Sequence, residues 1–186
     1  MGKPLIDDDI RTAQTLPSAW YTEMEHFNRL KSVFSGWQFA AHQSDFGTNN
    51  VLPVEHYEAI TSESVVLLKG DKTACHSNVC THRGMRVALE ACTAKTLQCR
   101  YHGRTFNLDG TLKHMPEFTE AIGFPEASDN LTEFPLKQLM GMHFTALDES
   151  AQLPWELLED RLGFLKPEEF IHDASRNRDH TIEANW

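Results

Sequence analysis

The spacing of apolar positions changes along the chain. Phe27, Leu30 and Phe34 recur at helical spacing. Before them, Thr22-Glu23-Met24-Glu25 has the form of a capping box, and Gly36 is placed to end the helix. This pattern predicts one amphipathic helix, preceded by an extended arm of 17 residues ending at Pro17. From 37 to 146 the helical period disappears. Short runs at 37–42, 64–69, 97–100, 105–108, 136–140 and 142–146 are separated by turn residues. Lys69-Gly70-Asp71-Lys72, Leu108-Asp109-Gly110-Thr111 and Met140-Gly141-Met142 read as tight turns between strands. After Pro154, the segment from Trp155 to Leu162 reads as a short helix. From Phe170 onward the chain is polar, and Ile182 to Trp186 reads as the start of a strand. The pattern predicts a mainly β protein in three parts: an arm and helix at 1–36, a β body at 37–147, and a connector at 148–186.

Composition narrows the class. The chain has 186 residues, 40% hydrophobic and 24% charged, enough for one domain with an appendage and a core that needs no disulfides. A net charge of −10 argues against nucleic-acid binding, which needs clustered Lys and Arg. No stretch approaches the roughly 20 apolar residues of a membrane span. Residues 1–10 hold three consecutive Asp and no apolar run, unlike a signal peptide. The compartment these features imply is the cytoplasm. There, four cysteines are ligands or free thiols rather than bridges.

One segment carries chemistry. Cys80-Thr81-His82 is followed by sixteen residues and then Cys99-Arg100-Tyr101-His102. Two Cys and two His at such spacing make a metal site. A zinc finger pairs its Cys together and its His together, whereas here each half supplies one of each. That alternation suits a [2Fe–2S] centre with both thiolates on one iron and both imidazoles on the other. By spacing alone, zinc remains the alternative.

The flanking residues go further. Asn78-Val79-Cys80-Thr81-His82-Arg83-Gly84-Met85 and Cys99-Arg100-Tyr101-His102-Gly103 closely resemble the two loops of Rieske iron–sulfur proteins. They look like the branch found in the α subunits of Rieske non-haem iron oxygenases, the aromatic-ring-hydroxylating type. Leu16-Pro17 through Tyr21-Thr22 to Ser35-Gly36-Trp37 resembles the entry of those subunits. Ile182-Glu183-Ala184-Asn185-Trp186 resembles the strand that opens their catalytic domain. The resemblance implies stacked antiparallel β-sheets with an N-terminal helix and a short C-terminal helix. It implies a Rieske [2Fe–2S] domain at 37–147 with cluster loops at 78–86 and 99–106. Cys80 and Cys99 would bind the inner iron, and His82 and His102 the outer one. The full protein would be an oxidoreductase, a mono- or dioxygenase. Its cluster would take electrons from a reductase or ferredoxin and pass them to a mononuclear iron, within a homotrimer or related oligomer. The alternatives are a standalone Rieske-type ferredoxin and, behind it, a zinc-binding interaction module.

The departures carry information too. High-potential Rieske proteins join their loops by a disulfide, and Met85 and Tyr101 stand at those places here. This implies the lower part of the range of roughly −150 to +300 mV. Arg104 replaces the Trp common after the second His-Gly. The oxygenase iron needs two His and a carboxylate, which Glu169 and His172 only imitate, since Asn177 stands where the second His belongs. The catalytic domain is therefore expected to be missing, and this chain alone is not expected to hydroxylate. Cys75 and Cys92 read as free structural thiols. His42, His56, His76, His114 and His143 read as surface or core positions. Between Cys75 and Phe106, Arg83, Arg86, Lys95, Arg100 and Arg104 face only Glu90. That basic island would steer an acidic electron donor, with Arg104 as the sharpest case.

Overall fold

The computed structural model describes residues 7–148 and 152–183. Contacts divide the chain into two units, one of Met1–Val33 with Ser175–Trp186, the other Phe34–Ala174. In the first, α2 (Met24–Lys31) lies where the sequence places its helix, and a short α1 (Ala19–Thr22), ended by an extended Glu23, precedes it. The Thr22 capping box does not form, because Thr22 is the last residue of α1 and α2 begins only at Met24; the Thr22 hydroxyl donates to the Ser18 carbonyl at 3.2 Å. Trp20 stacks on His26 with ring centroids 4.3 Å apart. The arm is not fully extended either. Thr12 and Ala13 N–H groups both close on the Asp9 carbonyl, and the Asp9 carboxylate holds Arg11.

The second unit contains all ten strands named here. They are β1 (Gln38–His42), β2 (Val51–Val54), β3 (Val65–Lys69), β4 (Thr73–Ser77), β5 (Leu97–Gln98), β6 (Thr105–Phe106), β7 (Leu112–His114), β8 (Glu133–Phe134), β9 (Leu136–Leu139) and β10 (Met142–Thr145). They form three antiparallel sheets, in the orders β1-β10-β9, β2-β3-β4-β8 and β5-β6-β7. A further helix, α3 (Glu55–Thr61), follows β2, and α4 (Trp155–Leu162) lies where the sequence places it.

Strand β3 explains how the body is organised. Its run of Val65, Val66, Leu67 and Leu68 is wholly buried. Successive side chains of a strand point to opposite faces. Val66 and Leu68 therefore enter one core with Val51, Cys80, Val87, Leu97, Cys99, Phe106 and Leu131. Val65 and Leu67 enter another with Ala40, Ala41, Phe46, Val54, Tyr57 and Cys75. A continuous apolar run here is a strand sandwiched between two cores, one of them the floor beneath Cys80 and Cys99.

The β9–β10 hairpin shows why its turn residues are needed. Met140 and Gly141 both have positive φ, 49° and 77°, as a two-residue turn of primed type demands. A Cβ on Gly141 would also stand 2.9 Å from the His42 ring and from Glu168. The 162–172 segment passes close by, with the His42 ring 3.0 Å from the Pro167 carbonyl and Gln43 donating to that of Glu168. Between this segment and β1 lies a groove of about 530 Å³, lined mainly by apolar side chains. No strand is found over 170–183, and residues 184–186 of the expected terminal strand lie outside the described residues. Among the described residues, no helix is long and apolar enough to cross a membrane.

Candidate metal centre

The first loop leaves β4 and the second joins β5 to β6. Both are closed by the same backbone hydrogen bonds. Cys80 N–H donates to the Met85 carbonyl at 2.8 Å, and Gly84 N–H to the Cys80 carbonyl at 3.0 Å. Cys99 N–H donates to the Arg104 carbonyl at 2.8 Å, and Gly103 N–H to the Cys99 carbonyl at 3.0 Å. Such a tight loop needs a left-handed residue, which Gly84 (φ 70°) and Gly103 (φ 75°) supply at low cost.

These frames bring the four predicted side chains together in two tiers. Cys80 and Cys99 are 3% and 2% exposed, in the core below. His82 and His102 lie half-buried above, with ring centroids 4.7 Å apart. Burial is the main effect raising the Cys80 thiol above its ordinary pKa. The neighbouring Cys99 raises it further, while the His82 N–H and the Arg104 charge oppose the rise. His82 is held below the ordinary histidine value, first by burial and then by His102, Arg83 and Arg104. A neutral imidazole is the form that binds a metal.

The donor set fits a binuclear centre. In a [2Fe–2S] centre each iron takes only two protein ligands and shares the sulfides. Two thiols at one depth and two imidazoles at another match that division.

A third segment, 115–131, covers this site, and the sequence reading missed it. Pro116 lies against Gly103, where an added Cβ would stand 3.1 Å from its Cγ. Phe118 meets the edge of His82 at 6.3 Å, and Phe118 and Phe124 pack at 5.0 Å. Thr81 donates to the Asp129 carbonyl at 2.7 Å. On the other flank Tyr101 stacks on His102 with centroids 3.7 Å apart. The proline and aromatic residues of 115–131 were the available signal, but no periodicity marked them.

Arg104 corrects an expectation. It is 4% exposed and ion-paired with Asp129, with its guanidinium 5.6 Å from the Phe124 ring centre. It does not present charge at the surface. Arg86 is paired too, with Glu58 at 2.5 Å. Of the basic island, Arg83, Arg86, Lys95 and Arg100 are exposed, Arg86 within its ion pair.

The other candidates behave structurally. Cys75 and Cys92 are free, and burial pushes the Cys75 thiol up to about 12. His76 and His143 are buried, and burial lowers the pKa of both. His56 contacts the Phe39 carbonyl at 3.0 Å, and His114 is exposed on β7. Glu169 pairs with Lys166 at 3.3 Å while His172 meets Asp45 at 2.8 Å, so the imitation of an iron motif is not a joint site.

Comparison with known proteins agrees with this geometry. Residues 36–135 match the family model for the Rieske [2Fe-2S] domain. The chain is 31% identical over 188 positions to the carnitine monooxygenase oxygenase subunit of Escherichia coli (strain K12), covering 94% of this chain and 48% of that protein. It is 32% identical over 188 positions to the chloroplastic choline monooxygenase of Beta vulgaris, covering 94% and 41%. A crystal structure of a quaternary ammonium Rieske monooxygenase in complex with L-carnitine superposes with a TM-score of 0.65 at 26% identity, over 81% of this chain and 45% of that one. The chain thus spans about half the length of these relatives or less. Paired loops, a two-tier donor set and matched relatives lead to one assignment: the chain belongs to the Rieske [2Fe–2S] domain family, among relatives that are oxygenases.

Proposed function

We propose that Cys80 and Cys99 bind the inner iron of the cluster, that His82 and His102 bind the outer one, and that the domain relays electrons within a larger oxygenase. One observation carries this reading: two buried thiols lie beneath two imidazoles on loops with the same hydrogen-bond frame. When bound, the cluster accepts and releases one electron at a time. The protein's part is to hold the ligands, exclude water from the sulfur side and leave the imidazole side near the surface. The donor is a reductase or ferredoxin, met by the exposed Arg83 and Arg100 beside the two histidines. The acceptor is a mononuclear iron in a domain outside this chain, and the full protein is a homotrimer or related oligomer. The carnitine and choline monooxygenases among the relatives favour a quaternary ammonium substrate for that full protein.

The test is assembly. Reconstituted with iron and sulfide, the chain should turn brown with visible charge-transfer bands. It should hold about two irons and two sulfides, as a binuclear Rieske centre requires. Cys80→Ala and Cys99→Ala should each abolish colour and bound iron while circular dichroism still reports the β body. Full iron content and colour in Cys80→Ala would sink the ligand assignment.

A further inference from the structure

A buried arginine is costly. Removing its charge from water costs several kcal/mol unless it is paired and its N–H groups find acceptors. Arg104 meets only part of that requirement from protein. One terminal nitrogen bonds the Asp129 carboxylate, and the Phe124 ring lies 5.6 Å from the guanidinium carbon. Nε–H is buried and has no hydrogen-bond partner among the described residues. Asp129 cannot readily turn to serve it, since its other oxygen accepts from the Glu126 N–H at 2.8 Å.

The position of the side chain indicates where that donor belongs. Arg104 follows His102 and Gly103 in the second loop, yet both of its neighbours lead to the first: its partner Asp129 accepts, through its carbonyl, from Thr81 at 2.7 Å, and the Phe124 ring beside it packs on Phe118, which meets the edge of His82 at 6.3 Å. The buried guanidinium is therefore held where the two loops come together. Acceptors native to that space are the cysteine and inorganic sulfurs of the cluster. Resting on the reading above, we propose that Arg104, anchored by Asp129, supplies a buried positive charge and a hydrogen-bond donor to the [2Fe–2S] centre and raises its reduction potential. Reduction adds one negative charge to the centre, and a fixed cation in a water-poor site favours the charged product. Arg104 is thus a positioning and tuning residue of the electron relay. Asp129 holds the guanidinium and, through its carbonyl, also holds Thr81 of the first loop.

The experiment is redox titration of the cluster-loaded chain, with iron, sulfide and the visible spectrum recorded for each variant. Arg104→Gln should retain a cluster and shift the midpoint to more negative potential. At a fixed potential its reduced-to-oxidised ratio should fall about tenfold, equivalent to about 59 mV for a one-electron couple. Arg104→Lys keeps the charge but not the planar fork, and should lie between Gln and the parent. Asp129→Asn removes the opposing charge and should shift the midpoint the other way. The Gln shift should persist at high salt, because a buried charge is poorly screened. A brace acting only on stability would speed cluster loss in all three variants and leave the midpoints together, which would overturn the proposal. Should Arg104→Gln fail to assemble, Lys and Asn decide: unmoved midpoints in both overturn it. Failure of the unaltered chain to take up a cluster would overturn the electron-relay reading itself, and this proposal with it.

Discussion

The two cluster loops are alike in backbone and unlike in everything attached to it. Cys80, Gly84 and Met85 match Cys99, Gly103 and Arg104, hydrogen bond for hydrogen bond. The histidines break the match: His82 follows its cysteine by two positions and His102 by three. One frame thus presents its imidazole from two successive places, and the rings still meet at 4.7 Å. The residue closing each frame differs more. Met85 is 39% exposed, while Arg104 is 4% exposed and tied to Asp129. The frame is set by backbone geometry and glycine. The asymmetry comes from the 115–131 segment, which covers Gly103 and Arg104 and leaves Gly84 and Met85 in the open.

The strongest way to break the comparison is to remove what closes the base of the first loop. Asn78 is buried and spans that base. Its amide donates to the Ala88 carbonyl at 2.7 Å, and its side-chain oxygen accepts from the Ala88 N–H at 2.8 Å. Its own carbonyl accepts from Val87. The second loop needs no such device, being flanked by β5 and β6, which pair directly. Asn78→Ala would leave a buried N–H and C=O without partners, costing about 2–6 kcal/mol at about 1–3 per group. Urea unfolding of the cluster-free chain should report this loss. An unchanged unfolding midpoint would mean that loop one closes without Asn78.

The glycines sharpen the contrast at smaller scale. Both have positive φ, so an alanine at either costs about 1–2 kcal/mol in backbone strain. A Cβ on Gly84 meets nothing within 4 Å, whereas one on Gly103 stands 3.1 Å from Pro116 Cγ. Gly103→Ala should therefore lose more, by about 1 kcal/mol at the low end of overpacking costs. It should also loosen 115–131, visible as faster amide exchange there. Equal losses at the two glycines would show that the cover yields freely.

Much of this was legible in the sequence because it rests on short-range rules. The alternating Cys and His, the paired glycines, the Met140-Gly141 turn and the apolar run of β3 each fix local structure. What escaped depends on contacts far along the chain. Strand β2 contains Pro53, which reads as a break, yet β2 is an edge strand where a missing N–H is tolerated. Strand β4 is polar in sequence, but its His76 and Ser77 are buried. Arg104 reads as a surface charge, as most arginines are. Its partner Asp129 lies 25 residues on, in a segment without periodic pattern.

The smallest effect concerns the other arginine. Arg86 of the first loop pairs with Glu58 of α3, as Arg104 pairs with Asp129, but the pair faces solvent. The hydrogen bond from Arg86 is the main cause that holds the Glu58 carboxyl below its ordinary value of 4.5. A carboxyl whose pKa is lowered by folding adds stability above its unfolded pKa and loses it as pH falls through the folded one. The Arg86–Glu58 contribution should therefore be present at neutral pH and fade below about 4.5, the unfolded reference. It should also fade with added salt, because exposed pairs are screened and contribute little. Glu58→Gln should move the unfolding midpoint only marginally at neutral pH, and less still as pH falls below about 4.5 or as salt rises. Its cluster potential should match the parent's. A shift in potential comparable to that of Arg104→Gln would erase the distinction between an arginine on the surface of one loop and an arginine inside the other.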